Sequence, residues 1–555
     1  MNTTKPFYKI TILCVLLVMV ITACSPKTTA TPTTTGSQPT SSEIQPTVAP
    51  TEPPVQYLDT FIFATSQEPT LVDPAIIYDG SDRITRLVYE SLLNYKGSSA
   101  SELEPALATG YTVSTDGLTY TFPLRQDVTF QDGTPFNAEA VKFSFDRMVT
   151  IGKGFAWAFW MLKEVNVVDE FTVDFVLTQQ FPFFPTLIAN RYGSPIVSPS
   201  VMQHEVDGDM AQTWLQDHAI GTGPYMLTKW DRQQVVVLDY YPEYWRGWTE
   251  KNIKHVIAEI IPESSTMRQM LERGEIMSAN YPGVDDTITL MTNPEITVVQ
   301  APKNTSNFNW FILFNTKKGI FQDNKVREAI SWAFPYENIV NVAFEGQASQ
   351  SFGPLPDGEP GFASDLFQYH QDMDKARQLL TDAGIKTGTP IKITHGSHDW
   401  GTKLLDALTV TLTDLGFTVT SEPLGWSAMT ENMSNQETAP DLVIADWWDD
   451  YPDGVGYITG VAGQFWWGGG REEKDYFYYN QQVFDLLTQA DAEVDMTKRY
   501  EILHQAQELI VADNAAIWAF DYYAAIPFRN NVKGYVFNSH YIYTFNMYDM
   551  WIEKP

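Results

Sequence analysis

Cysteine is nearly missing from this 555-residue chain, which has two, Cys14 and Cys24, both close to the amino terminus. From residue 25 onward there is no thiol, so a disulfide framework, a Cys-based zinc site and a cysteine nucleophile are all excluded. Positive charge is scarce as well: 36 Lys and Arg against 68 Asp and Glu give a net charge of −32. That balance argues against nucleic acid or an anionic lipid surface as partner, although solubility alone would account for it. Long apolar runs are missing after the first. Residues 10–20, ITILCVLLVMV, are too short to span a bilayer as about twenty helical residues would, and no later run is longer. Enzyme signatures fail too. WWGGGRE at 466–472 lacks the Lys-Ser/Thr of a phosphate loop, and GWSAM at 425–429 lacks the second glycine of a nucleophile elbow.

What is present begins with an address. Lys5 and Lys9 precede the apolar run, the layout of a signal peptide. Ile21-Thr22-Ala23-Cys24 resembles the lipobox of bacterial lipoproteins. The resemblance implies removal of residues 1–23, with Cys14 among them, and lipid on the Cys24 sulfur and new amino terminus. An ordinary cleaved signal peptide is the alternative. Residues 24–56 then form a lipid-anchored tether. Its Thr, Pro and Ser offer almost nothing to bury, so it is expected to be disordered, with a reach of about 30 Å as a coil and roughly 90 Å if extended. The expected location is the extracytoplasmic face of the cell membrane, periplasmic or at the cell surface.

The remaining body mixes strand and helix patterns, which makes the class α/β. LTYTFPL at 118–124 alternates as a half-buried strand, with Pro123 pointing to an edge position. Val326, Ala329, Ile330, Ala333 and Phe334 share one helix face, capped by Asp323 or Asn324. STMRQMLERG reads as a helix ending at Gly274, and a stripe of Val483, Leu486, Leu487 and Ala490 follows Asn480. Sixteen Trp and 27 Tyr suit the gripping of flexible or ring-shaped ligands, though most such residues belong to cores.

Two constellations could carry chemistry. His395, His398 and Asp399 in HGSHD could hold a transition metal, or form a solvated loop. ADWWDDYPDG at 445–454 packs Asp446, Asp449, Asp450 and Asp453 around Trp447, Trp448 and Tyr451. Three readings fit it: paired glycosidase carboxylates, an ammonium site of charge and rings, or a loop with core aromatics and solvated acids.

From Tyr57 to Trp551 the chain resembles the family 5 extracellular solute-binding proteins, the peptide, nickel and oligosaccharide receptors of ABC transporters. The segments that carry the resemblance run in the family's order: LVDPAIIYDGSDRITRLVYESLLNY, then the stretch from Glu102 to Met148, GTGPYMLTKW, FNTKKGIFQDNKVREAISWAF and WWDDYPDG. Two departures are visible: Ala140 replaces the usual Asp before Val141, and Gly454 replaces the Pro of an Asp-Pro. The implied fold is the large two-lobed periplasmic-binding-protein type, its lobes joined by two crossing strands. Lobe I is expected at 57–300 with an inserted subdomain at about 95–193, lobe II at 301–515, and a return to lobe I at 516–555. The hinge strands are expected near 297–304 and 518–522. The resemblance implies an oligopeptide lying extended in the cleft, its ammonium meeting Asp450 behind Trp447 and Trp448. Tyr78, Asp79 and Gly80 match the opposite wall, and Asp521 falls near another lining position. The Trp-rich stretches keep an oligosaccharide in play. The expected protein is a monomeric, cofactor-free receptor that delivers its ligand to ABC permease subunits. The rivals of other classes are a secreted glycoside hydrolase and a purely structural surface protein.

Overall fold

The computed structural model describes residues 56–193, 196–280, 282–396, 399–433, 438–449, 451–461 and 477–554. Cys24, Asp450, His398 and the Trp-rich stretch 464–470 lie outside the described residues, as do the leader and nearly all of the tether. No helix of the described residues is long and apolar enough to cross a membrane.

The fold is α/β with two lobes, each built on its own sheet. The first sheet has seven strands in the order Ile296–Gln300, Ala525–Arg529, Ser278–Asn280, Thr60–Thr65, His255–Ile260, Val235–Tyr240 and Tyr225–Asp231. Thr60–Thr65 sits at its middle, parallel to both neighbours. The second sheet has six strands, in the order Ala348–Ser349, Ala516–Tyr522, Phe308–Phe314, Leu442–Trp448, Pro390–His395 and Thr418–Pro423. Phe308–Phe314 is buried at every position, which requires cover on both faces. Phe308, Trp310, Ile312 and Phe314 enter one core and Phe311 and Leu313 another, as the two-residue period of a strand dictates.

A four-stranded antiparallel sheet, ordered Thr112–Val113, Thr119–Pro123, Thr172–Leu177 and Leu162–Asp169, carries the inserted subdomain. Pro123 is not on an edge strand. The outer neighbour is only two residues long and pairs with Tyr120 and Thr121, so Pro123 lies beyond it and no sheet hydrogen bond to that neighbour is lost. The helix Ala138–Ile151 packs on this sheet, capped by the Asn137 side chain and closed by Gly152 at φ 63°. Ala140 is buried in its first turn. One fully buried ion pair ties the subdomain to the preceding chain: Arg147 donates from both terminal nitrogens to Asp73, at 2.7 and 2.6 Å.

The chain crosses between the sheets twice, through residues 301–307 and through Tyr523-Ala524. The strand Ala516–Tyr522 belongs to the six-stranded sheet, hydrogen-bonded to Phe308–Phe314, so the second crossing falls at 523–524 rather than at 516. The crossings run side by side. Ala301 N–H donates to the Ala524 carbonyl at 2.8 Å, and Ser306 Oγ lies 2.7 Å from the Phe308 carbonyl and 2.8 Å from the Tyr522 carbonyl.

Candidate functional site

The strand Leu442–Trp448 brings the acid- and Trp-rich segment to the edge of lobe II. Alternation gives its two indoles opposite fates. Trp447 is 8% exposed and packs with Phe311 and Trp518 in the core behind the sheet. It fits there because Gly460 has no side chain: a Cβ at that position would sit 2.6 Å from the Trp447 ring. The Tyr457 hydroxyl donates to the Trp447 carbonyl at 2.7 Å, fixing the strand end. Trp447 is thus placed as core, not on the cleft wall expected of it. Trp448 points the other way, half-buried against Phe308 at a ring distance of 5.0 Å.

Lobe I supplies the facing cation. The Arg191 guanidinium lies 4.4 Å from the Trp448 ring centre and 4.8 Å from that of Tyr192, and 4.0 Å from Asp82. Burial raises the Asp82 carboxyl above its usual range, against the opposing pull of Arg191. The Tyr78-Asp79-Gly80 turn is part of this wall. The Tyr192 hydroxyl donates to the Asp79 carbonyl at 3.1 Å, and the Tyr78 and Tyr192 rings meet edge to face at 5.2 Å. The Asp79 carboxylate accepts from Ser81 N–H at 2.8 Å and Thr70 Oγ1 at 2.6 Å, which shapes the turn. At Gly80 a Cβ would meet the Arg83 guanidinium at 2.9 Å, a contact the flexible Arg83 side chain can relieve. The structure therefore brings together Tyr78–Gly80, Arg191 and Trp448.

The acids divide in the same manner. Asp449 lies within the lobe contact: it accepts from Asn307 Nδ2, and its other oxygen lies 2.5 Å from His540 Nδ1, both side chains being 2% exposed. His540 stacks on Tyr95 at 4.2 Å and its Nε2 lies 2.8 Å from the Ala100 carbonyl. Asp453 is buried against Arg499, at 2.7 Å. Asp521 is 1% exposed and lies behind the second crossing, where it accepts from Ser351 Oγ and from Asp357 N–H at 3.1 Å. Burial, and then the neighbouring Asp357 carboxylate, push its carboxyl well above the ordinary range. Asp521 thus braces the hinge and does not line the cleft. Asp446 follows Ile444 and precedes Trp448 on one strand face, directly opposite Trp310. Burial raises its carboxyl to about 7, countered only by its own backbone N–H. With Asp449 engaged by Asn307 and Asp453 paired with Arg499, the glycosidase reading loses both as an acid–base pair. His395 is buried, with Nδ1 2.8 Å from the Gly396 carbonyl.

Sequence reasoning missed Arg191, His540 and Asn307. Their role is created by contact between segments about ninety residues or more apart, and an isolated Arg, His or Asn carries no spacing signal. Tyr451 shows the same effect: it leaves its own lobe to pack between Phe181 and Phe183 of the subdomain, at 5.5 and 6.2 Å.

The likeness to known proteins is broad. Residues 102–469 match the family model described as bacterial extracellular solute-binding proteins, family 5, middle. The chain is 31% identical over 501 residues to a probable D,D-dipeptide-binding periplasmic protein of Escherichia coli, covering 89% of this chain and 94% of that protein. It is 26% identical over 508 residues to heme-binding protein A of Haemophilus influenzae, covering 86% and 90%. Among solved structures, the periplasmic binding protein DppA of Helicobacter pylori, in complex with the peptide STSA, superposes with a TM-score of 0.78 at 25% identity, covering 90% of this chain and 99% of that one. The two lobes, the paired crossings and the matched segments agree: this chain belongs to the bacterial extracellular solute-binding proteins of family 5.

Proposed function

We propose that the protein is the lipid-anchored receptor of an ABC importer and captures short peptides between its lobes. The observation that carries the reading is the match along 94% of a D,D-dipeptide-binding relative, joined to a cleft wall of suitable chemistry. Arg191 offers a cation to a peptide carboxylate. The Trp448 indole N–H is buried without a hydrogen-bond partner among the described residues and can donate to a peptide carbonyl. Asp450 is the carboxylate proposed for the peptide ammonium, and acylated Cys24 the proposed anchor. An extended peptide held through its backbone and termini gains affinity without strict reading of side chains.

Calorimetry with dipeptides, N-acetylated dipeptides and a disaccharide tests the reading. Unmodified dipeptides should bind, acetylation should weaken binding, and Asp450→Asn should cost on the order of 2–5 kcal/mol, roughly thirty to several thousand-fold in Kd. Acetylation should add little further loss in that variant, because both changes remove one interaction. Tight disaccharide binding with no response to peptides would overturn the peptide reading. For the anchor, Cys24→Ala should release the protein from membranes. Unmodified wild-type protein cut at another position would reject the lipobox.

A further inference from the structure

A cavity of about 610 Å3 opens in lobe I. Every residue lining it comes from 86–125, 224–246 or 534–550, and none from lobe II. In a chain with a net charge of −32, its charge balance is unusual. Arg125 lies 4.1 Å over the Trp245 ring and spends its Nε on the Ala106 carbonyl at 2.7 Å. Arg86 lies 3.9 Å over the Tyr541 ring, with one Nη2 contact of 3.3 Å to Asn94. Ring and carbonyl contacts hold both guanidiniums in place, while no carboxylate of the described residues pairs with either. The acids of the cavity are engaged elsewhere, save one. Asp549 pairs with Arg246 at 2.7 Å. Glu90 accepts from the Tyr244 hydroxyl at 2.9 Å and from the Trp245 indole at 3.2 Å. Glu104, an exposed residue, stands opposite Asn94 in its strand pair, and among the described residues no cation lies within ion-pair distance of it. Desolvation and the Asp549 charge raise its carboxyl above the usual range. Tyr535 also lines the cavity, and its hydroxyl is buried without a hydrogen-bond partner among the described residues.

We propose that this cavity is a second ligand site, which takes a small zwitterion of the free amino-acid class with a flat side chain. Its carboxylate meets Arg86 and Arg125, its ammonium meets Glu104, and its side chain lies among the aromatic rings. Paired guanidiniums suit a carboxylate because its two oxygens can accept from both. The volume falls within the range of small-molecule pockets.

The test is fluorine NMR on the full chain with 4-fluoro-L-phenylalanine as probe. The probe should bind, and Arg125→Gln or Arg86→Gln should weaken it about tenfold to a hundredfold, the span for losing a charged hydrogen bond. N-acetyl-4-fluorophenylalanine should bind more weakly than the probe, and that difference should vanish in Glu104→Gln. Because the arginines also touch the protein, Glu104→Gln, at an exposed position, serves as the conservative variant: it should weaken the probe several-fold at an unchanged melting temperature. Trp448→Ala, in the interlobe cleft, should leave probe binding intact. No binding at millimolar probe, or binding lost in Trp448→Ala and untouched by the cavity variants, would overturn the proposal.

Discussion

Trp447 and Trp448 are neighbours in sequence with different work, and their substitutions should separate it. Trp447→Ala opens a hole in the core behind the six-stranded sheet and should cost about 3–5 kcal/mol of stability in chemical denaturation. Trp448→Ala, half-buried at the lobe contact, should cost less stability and more peptide affinity by calorimetry. Equal losses of stability with affinity unchanged in both would contradict the assignment. Asp446 makes a prediction in pH. Its carboxyl is raised to about 7 in the fold, so between about pH 4 and 7 the folded state holds a proton that the unfolded chain releases. Stability therefore falls as pH rises through that window, by up to about 4 kcal/mol from this group, and Asp446→Asn should flatten the fall. At this scale the sequence is a partial guide. WWDDYPDG marks the right segment, yet the alternation that buries Trp447 and the pairing that takes up Asp449 depend on partners that the segment does not contain.

Single elements were read well where a local rule decides them. The helix Asn324–Ala333 is capped by the Asp323 side chain, and Ser264–Arg273 ends at Gly274 with φ 73°. Gln481–Ala492 is capped by Asn480. Caps and apolar stripes act within a few residues, so sequence displays them. Long-range pairing is not displayed in this way. The resemblance places the return to lobe I from residue 516, but the seven buried positions of the strand Ala516–Tyr522 do not reveal which sheet buries them. Two element-scale substitutions follow. Gly460→Ala drives a methyl into the Trp447 ring and should destabilise by about 1–3 kcal/mol. Gly454, the departure from the family's Asp-Pro, starts the helix Gly454–Val461 with the Pro360 carbonyl 2.7 Å from where a Cβ would stand. The missing side chain thus fits a close backbone approach. Asp73→Asn leaves Arg147 buried without its charge partner and should cost about 3–5 kcal/mol, read as a lower melting temperature.

At the scale of the whole molecule, two short crossings and a set of contacts between lobes define how it can move. The crossings are stitched together at Ala301–Ala524 and Ser306–Tyr522, and Asp357 braces both, accepting from Ser306 N–H at 2.9 Å and the Tyr523 hydroxyl at 2.8 Å. Between the lobes, contact is made by Asp449–His540 beside the first crossing, by Arg191 on Trp448, and by Lys403–Asp285 at 3.1 Å. Such an arrangement permits rotation about the crossings while the lobes stay intact, the geometry of hinge closure. His540→Gln combined with Arg191→Gln should shift the ligand-free protein toward the open form without unfolding it. Small-angle X-ray scattering of the wild type with and without a saturating dipeptide tests the central claim most directly. A receptor that closes on peptide should show a smaller radius of gyration when liganded, and the double variant should need more peptide to reach it. A scattering profile that stays the same at saturating dipeptide, with binding verified by calorimetry, would contradict the account.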